Sequence, residues 1–331
     1  MSDYISGQAN KHVYTLPQSK LKGIKSYPFI YWISDEFREK FGSKTIEEIL
    51  KPAQGAATTN NNRFLRYWWE VSPNSISTNQ SLDHKDWVGY SKGGPFIKWY
   101  GNNWLLIDWK NNGYNLKHSK AVLRNQDCYF KEGVTYSASG SKGASYRYHN
   151  GNSLFDTGGS CIFMKEFDNL YYALAFMNSQ LCSYIINCLN PTVNTQVGDM
   201  QRVPFVIPSK AKEKSVSSLS KANVAIQKQM CSLSIIELIY DSSPIIPKVE
   251  VMFKITEFYN TGNALLTQIL LNESIINKTV FEVYELSEHD KQMVLDKEGI
   301  PVGDLPVSHE AKLAYKQWLT EESEFKPTSD V

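Results

Sequence analysis

The side chains best suited to chemistry in this sequence lie in one loop near the start of the chain. The loop follows Gly55 and carries amide, hydroxyl and guanidinium groups within a few residues of one another. Its hydrogen-bonding side chains are Thr58, Asn60, Asn61, Asn62, Arg63 and Arg66. Asparagine and arginine make the paired hydrogen bonds that distinguish adenine and guanine edges. The same composition is common in plain surface turns, so two interpretations stand, a turn and a DNA-contacting loop.

Two later loops repeat this chemistry. In residues 91–102, Lys92 and Lys98 flank a glycine pair, where a ligand can approach the backbone closely. Residues 137–148 mix small hydroxyls and glycine with cations and aromatic rings, and the candidate contacts there are Ser137, Ser139, Lys142 and Arg147. Cations suit phosphates, and hydroxyls suit bases or phosphates. Glycine- and serine-rich loops are also ordinary hairpin connections, and that interpretation stays open for both.

The loops connect segments that have the pattern of strands. Aromatic and β-branched runs between Gly, Asn and Ser clusters predict strands at 64–71, 87–90, 96–100, 104–109, 129–136 and 153–163. The first run alternates poorly, which is typical of a strand buried on both faces. Apolar residues at helical spacing then predict a packed helix over 171–189, before a loop and a last strand over 192–208. We therefore expect an α/β fold with a mixed, twisted sheet.

After Pro208 the pattern becomes helical. Two long apolar stripes, over 209–240 and 249–286, are separated by a break at 241–244 and predict helices that pair antiparallel. Such a hairpin is either a spacer or docking arm or a lid on the same core. The predicted regions are a lead-in with short helices (1–50), an α/β domain (51–208), the helical hairpin (209–290) and a tail (291–331) that frays after Trp318.

Composition limits the classes of function. The 331 residues have a net charge of +1, but residues 1–160 carry 20 Lys and Arg against 13 Asp and Glu, and the remainder carries 15 against 21. A basic front half fits a polyanionic partner, although scattered surface charge would give the same count. The five cysteines form no CxxC pair and no apolar run approaches a membrane span, which predicts a cytoplasmic protein without a membrane partner.

The sequence lacks the motifs of common catalytic sites. It contains no P-loop, GxGxxG, HExxH or GxSxG pattern. The run Asn190-Pro191-Thr192-Val193 is similar to the Asn/Asp-Pro-Pro-aromatic tetrad with which amino-methylating DNA enzymes hold a flipped base, but it lacks the second proline and the aromatic residue. We expect no S-adenosylmethionine site, no metal site and no catalysis from this chain alone.

Several runs, in order along the chain, carry a family resemblance. They are YPFIYWIS (27–34) with IEEI (46–49), QGAATTNNNRFLRYWWEV (54–71), KGG (92–94) with WYGN (99–102), YFKEGVTYS (129–137), NS (178–179), NPT (190–192), QVGD (196–199) and VFEVYEL (280–286). Together they resemble the C-terminal half of the PglX-type adenine-specific DNA methyltransferases of BREX phage-defence systems, and more broadly the target-recognition regions of type IIG restriction-modification enzymes. The family's loop usually reads GxxTGDN, whereas this chain has Thr59 and Asn60 in the places of the second glycine and the acid. These residues include no counterpart of the family's methyltransferase half, so we expect a recognition part that was expressed alone, encoded separately or left after a truncation.

The resemblance implies a target-recognition domain like those of type I specificity subunits, followed by a helical connector. In such domains, loops enter the major groove of double-stranded DNA and position an adenine for a methyltransferase catalytic domain, in cis or in trans, which alone would bind S-adenosylmethionine. The residues expected to contact phosphate or guanine are Arg63, Arg66, Lys92, Lys98, Lys142 and Arg147. Those expected at base edges are Asn60, Asn62, Ser137, Ser139 and Gln196, with Thr58 and Tyr136 as supports.

Two other classes of function remain. A protein-interaction module would dock a methyltransferase, or a phage protein that mimics DNA, through the helical hairpin and would show no preference among DNA sequences. A hydrolase or nuclease with an unrecognised site would show a metal-dependent activity that is lost when a carboxylate such as Asp156 or Asp199 is changed.

Overall fold

In this computed structural model the described residues are 16–22, 30–77, 85–140, 143–243 and 251–304. They form ten β-strands and eleven α-helices. The strands are β1 (Leu50–Ala53), β2 (Ala56–Ala57), β3 (Leu65–Tyr67), β4 (Trp87–Ser91), β5 (Leu105–Asp108), β6 (Val122–Leu123), β7 (Glu132–Tyr136), β8 (Tyr146–Asn150), β9 (Ser153–Phe155) and β10 (Cys161–Met164). The helices are α1 (Gln18–Leu21), α2 (Asp35–Lys40), α3 (Ile46–Ile49), α4 (Asn61–Phe64), α5 (Lys110–Lys117), α6 (Leu170–Met177), α7 (Gln180–Leu189), α8 (Val197–Gln201), α9 (Lys210–Ser232), α10 (Val251–Val283) and α11 (Glu288–Glu298).

Three sheets carry the strands. The first has the order β1-β10-β7-β8 and is antiparallel throughout. The second has the order β3-β5-β4-β9 and is mixed, because β9 pairs parallel with β4 while the other pairs are antiparallel. The antiparallel pair of β2 and β6 forms the third. The predicted mixed α/β class is confirmed, with the strands divided between two four-stranded sheets and one two-stranded sheet.

Two hydrophobic cores hold these sheets. The larger core combines the first sheet with helices from both ends of the described chain, from Phe37 on α2 to Val294 on α11. The smaller core is formed around the second sheet by Val88, Ile107 and Leu154, and it also takes in Cys161 and Phe163 of the first sheet. Residues 30–50 therefore pack as part of a core. The predicted boundaries at 50, 208 and 290 stay predictions, and the frayed tail after Trp318 and most of the lead-in over 1–27 lie outside the described residues.

The two long helices pair as the sequence predicts. The Nζ atom of Lys212, near the start of α9, lies 3.0 Å from Oε2 of Glu282, near the end of α10. Asn272 in the second half of α10 donates a hydrogen bond of 2.7 Å to Asn223 in the middle of α9. The paired positions advance in opposite directions along the two helices, so the antiparallel hairpin is confirmed.

The aromatic run at 64–71 differs from its prediction. Phe64 ends α4, β3 takes only three residues, and Trp68–Glu70 form a 3-10 turn. The Glu70 carboxylate accepts the backbone N–H of Tyr67 at 2.8 Å, which closes that turn. Tyr67 and Trp69 are consequently 45% and 49% exposed. The prediction of a strand buried on both faces is wrong, because a bond from a side chain to the backbone turns the chain where apolar patterning predicts that it continues.

Local breaks also divide other predicted elements. The helix predicted over 171–189 is two helices, since the Ser179 hydroxyl caps α7 and the Asn178 side chain pairs with the backbone of Tyr146. Residues 96–100 are a loop rather than a strand, and Trp99 in it has a left-handed φ of 72°. The last strand expected over 192–208 is replaced by the short helix α8.

Candidate nucleic-acid interface

The loop after Gly55, the loop after β4 and the loop after β9 meet through glycines. A Cβ atom on Gly55 would lie 1.8 Å from the carbonyl oxygen of Phe155, and one on Gly159 would lie 2.6 Å from the backbone nitrogen of Gly93. The Gly55 N–H also donates to the carbonyl of Asp156 at 3.3 Å. Because only a residue without a side chain permits such approaches, these glycines bring the three loops together.

A chain of polar contacts crosses this junction. The Thr58 hydroxyl donates to Asn61 Oδ1 at 2.6 Å, and Lys92 Nζ lies 3.4 Å from the same oxygen. Lys92 Nζ also lies 3.0 Å from Asp156 Oδ2. Thr58 is 2% exposed and therefore supports the loop from inside, whereas the Lys92 side chain keeps 32% of its surface in solvent. Lys92 is therefore a partly exposed cation that is paired with the Asp156 carboxylate.

The short helix α4 turns amides and guanidinium groups outward. Asn60 caps it, because its Oδ1 accepts the Arg63 N–H at 3.1 Å. Arg66 donates to the backbone carbonyls of Asn62 and Leu65 at 2.8 Å and 2.6 Å, which fixes its guanidinium beside the helix. Asn60, Asn62 and Arg63 are exposed. The sequence prediction that these side chains lie at the surface agrees with the structure, and DNA contact by them stays a prediction.

Between this helix and Lys92 lies an open groove of about 490 Å³. Its lining residues are Asn61, Asn62, Leu65, Arg66, Tyr67, Glu70, Lys92 and Leu105. Amides, two cations and one aromatic ring share this surface, and the Glu70 carboxylate is engaged by the Tyr67 backbone. Such a set offers hydrogen bonds to base edges and charge to phosphates.

Two further loops continue this surface. The Ser137 hydroxyl donates to the Gly94 carbonyl at 3.1 Å, and the Ala138 N–H donates to the Gly158 carbonyl at 2.9 Å. The Thr195 N–H in turn donates to the Ala138 carbonyl at 2.8 Å. We call the joined segments 55–66, 91–95, 137–140, 156–160 and 190–196 the loop rim. Ser139 and Gln196 are exposed on it.

Two expected contact residues, and one expected support, lie inside the fold. Arg147 is 1% exposed and donates to the Ser145 carbonyl and hydroxyl at 3.3 Å and 3.2 Å, while burial lowers the pKa of its guanidinium to about 10. Tyr136 is 0% exposed and Ser137 only 9%. The expectations of DNA contact by Arg147 and Ser137 are wrong in this conformation, because the strands β7 and β8 and their connections carry these side chains inward. Tyr136 can serve only as an internal support.

Lys98 is committed to the helical hairpin. Its Nζ lies 3.3 Å from Glu273 Oε2 on α10 and donates to the Asn178 carbonyl at 3.3 Å. Glu273 also accepts the indole N–H of Trp99 at 2.7 Å. Lys98 therefore joins the sheet region to α10 and is a poor phosphate ligand. Lys142 lies outside the described residues.

Sequence reasoning missed two features of this surface. Arg124 is exposed, and its guanidinium reaches within 3.5 Å of the Thr157 hydroxyl on the rim. It lies in a segment without a glycine or serine cluster, so no local signal marks it. The second feature is the exposed pair of Tyr67 and Trp69, which the aromatic pattern predicts to be buried.

The acids and histidines near the rim have structural partners. Asp199 accepts hydrogen bonds from Arg202 at 2.8 Å and from the Gln196 N–H at 2.9 Å. His149 Nδ1 lies 3.1 Å from the Ser91 hydroxyl, but both side chains are buried, and burial lowers the histidine pKa to about 4. Among the described residues no group of three His, Cys, Asp or Glu side chains could hold a metal ion. No helix within the described ranges is long and apolar enough to cross a membrane.

Comparisons with known proteins identify relatives. The chain is 31% identical over 291 residues to the adenine-specific methyltransferase BrxX of Escherichia coli O9:H4 (strain HS), a match that covers 86% of this chain and 24% of BrxX. It is 34% identical over 208 residues to the adenine-specific methyltransferase PglX of Lacticaseibacillus casei (strain Zhang), covering 59% of this chain and 17% of PglX. The chain thus spans a quarter or less of the length of these relatives. No family model matches it.

A solved structure gives a weaker likeness. The type IIL restriction-modification enzyme MmeI in complex with DNA aligns with a TM-score of 0.39 and 11% identity, over 84% of this chain and 36% of that one. A TM-score this low does not establish a common fold.

Proposed function

Since the chain is homologous to a segment of the adenine-specific methyltransferases BrxX and PglX, we propose that it recognises a short sequence of double-stranded DNA for such a methyltransferase. The observation that carries the proposal is the groove on the loop rim, where amides and cations from separate loops converge. The parent system is a phage-defence system of the BREX type, and the chain acts in the cytoplasm, where its DNA lies.

Within this function, the rim residues divide by chemistry. Asn62 and Asn60 offer amides to base edges, and Ser139 and Gln196 extend this set along the rim. Arg63, Arg66 and Lys92 supply charge for phosphates or guanine, and Arg124 adds a fourth cation beside Thr157. Methyl transfer and S-adenosylmethionine binding belong to the part of the methyltransferase outside the matched segment, present in cis or in trans.

A binding selection tests this function. The chain is mixed with a randomised duplex pool over a series of salt concentrations, and the recovered duplexes are sequenced. We expect one short asymmetric motif to be enriched. Replacing Asn62 with alanine should relax the preference at one base pair at a cost of about 1 to 3 kcal/mol, whereas Arg63→Ala should weaken binding to all sequences alike. Lys165→Ala is the matched control, because Lys165 is an exposed cation away from the rim.

The competing function makes a different prediction. A protein-docking module would bind the methyltransferase segment without enriching any DNA motif. If neither the chain alone nor its mixture with the catalytic segment enriches a motif, while the two proteins bind each other, DNA recognition is refuted and docking is supported.

A further inference from the structure

Two large aromatic side chains stand exposed beside the groove. The rings of Tyr67 and Trp69 are stacked, with centroids 4.7 Å apart and planes 3° from parallel. Both side chains are nearly half exposed, at 45% and 49%. We call this pair the aromatic platform. Most of the aromatic residues that the structure describes are buried or partly buried, so an ordered, stacked pair in solvent is a feature that packing of the fold does not explain.

The platform is held in place by its neighbours. Trp68, between the two rings in sequence, donates its indole N–H to the Ile236 carbonyl at 3.1 Å and packs edge-on against Trp69 at 5.9 Å. The Trp68 backbone N–H donates to the Trp104 carbonyl at 3.0 Å, and Glu70 closes the turn through Tyr67. The two exposed rings are therefore fixed before any partner arrives, which lowers the entropic cost of binding a flat ligand.

The chemistry around the platform selects the class of partner. Tyr67 lines the same groove as the Asn61 and Asn62 amides and the Arg66 guanidinium. The Arg66 guanidinium lies 5.8 Å from the Trp87 ring, so a cation and flat rings already alternate here. A flat heterocycle with polar edges next to a phosphate is bound by stacking faces, amides and cations together, and this surface presents all three.

The geometry points to the aromatic platform as a stacking site for an unstacked nucleobase of the bound DNA. This inference rests on the proposed function, and it adds a ligand to the groove. Enzymes that modify a base extrude it from the duplex, which leaves unstacked bases at the target step. Because Tyr67 and Trp69 already stack on each other, one such base would stack on a free outer face of the pair and be held at the rim, while the amides and cations of the groove hold the flanking duplex.

The test uses a short duplex with one unpaired 2-aminopurine and the same duplex fully paired. We expect the full chain to bind the unpaired form more tightly and to quench its fluorescence. Base–aromatic stacking is worth about 1 to 3 kcal/mol, so Trp69→Ala and Tyr67→Ala should each weaken binding to the unpaired form by about 5- to 150-fold. Trp69→Phe, which keeps a ring, should retain most of the binding. Tyr114→Ala, which removes an exposed ring of α5 that stacks on His118, should leave binding to both duplexes unchanged.

The outcomes distinguish a failure of the stacking site from a failure of the proposed DNA recognition. If the chain binds paired DNA but neither prefers the unpaired form nor quenches it, the stacking site is refuted and DNA recognition stands. If platform variants bind both duplexes normally but lose affinity for the methyltransferase segment, the platform is a protein contact and the inference fails. If the chain binds no DNA, both fail together.

Discussion

The carboxylate of Glu237 offers a strong test of how the fold is held together. Glu237 lies in the turn that follows α9 and is 4% exposed. It accepts the backbone N–H groups of Asn102 and Asn103 at 2.8 Å and 3.0 Å, and burial raises the pKa of its carboxyl. Hydrogen bonds to a charged group contribute about 1.5 to 3 kcal/mol each, offset here by the desolvation of the charge. We expect Glu237→Ala to lower the free energy of unfolding by about 3 kcal/mol.

Urea denaturation followed by circular dichroism measures this change. The free energy of unfolding of Glu237→Gln should lie between those of wild type and Glu237→Ala, because an amide keeps one acceptor oxygen for the two N–H groups. The control is Glu257→Ala on α10, which removes a half-exposed carboxylate paired with Lys254; its free energy of unfolding should stay within about 0.5 kcal/mol of wild type. A loss below about 1 kcal/mol for Glu237→Ala would refute the view that this carboxylate anchors the 102–103 backbone.

Three further changes have defined outcomes. Burial lowers the pKa of His149 from 6.5 to about 4. The contribution of the neutral imidazole to the free energy of unfolding is therefore present above pH 6.5 and is lost as pH falls towards 4, by up to about 3 kcal/mol. In urea denaturation, His149→Gln should remove this part of the pH dependence. Thr59 has a left-handed φ of 56°, so Thr59→Gly should raise the free energy of unfolding by about 1 kcal/mol and raise the melting midpoint with it. Thr58→Gly should lower the melting midpoint. Asp156→Asn removes the carboxylate paired with Lys92 and should strengthen DNA binding. The slope of log K against log salt concentration should become steeper by about the value of one phosphate contact.

Thr59 also shows what the sequence could predict. The family resemblance places a glycine at this position, and the left-handed backbone explains why a glycine suits it. The fold class, the paired helices and the exposed amides of α4 were likewise predictable, because each depends on patterns within a few turns of chain. The junction of the loops was not, since it depends on close approaches such as that of Gly55 to Phe155, which are far apart in sequence.

The burial of Arg147 was equally beyond sequence reasoning. It lies on β8, where Tyr146, Arg147 and His149 are all buried, so the strand does not alternate between polar and apolar faces. A cation in a polar, glycine-rich stretch predicts solvent exposure, and only the packing of β8 in the first sheet overrides this. Charge in sequence is therefore a weaker guide to the interface than the position of a residue on the rim.

The charge asymmetry of the chain leads to a last prediction. Some carboxylates of the acidic second half are bound to groups of the basic first half. Glu273 binds Lys98 and Trp99, and Glu237 accepts the backbone N–H groups of residues 102 and 103. Among the residues that the structure describes, the cations on or beside the rim that remain for phosphates are Arg63, Arg66, Lys92 and Arg124. Each phosphate contact contributes about 0.9 to the slope of log K against log salt concentration. The isolated chain should therefore show a slope no steeper than about −4 on a paired duplex. A slope near −10 would mean that cations elsewhere on the surface bind DNA, and that the rim is not the interface.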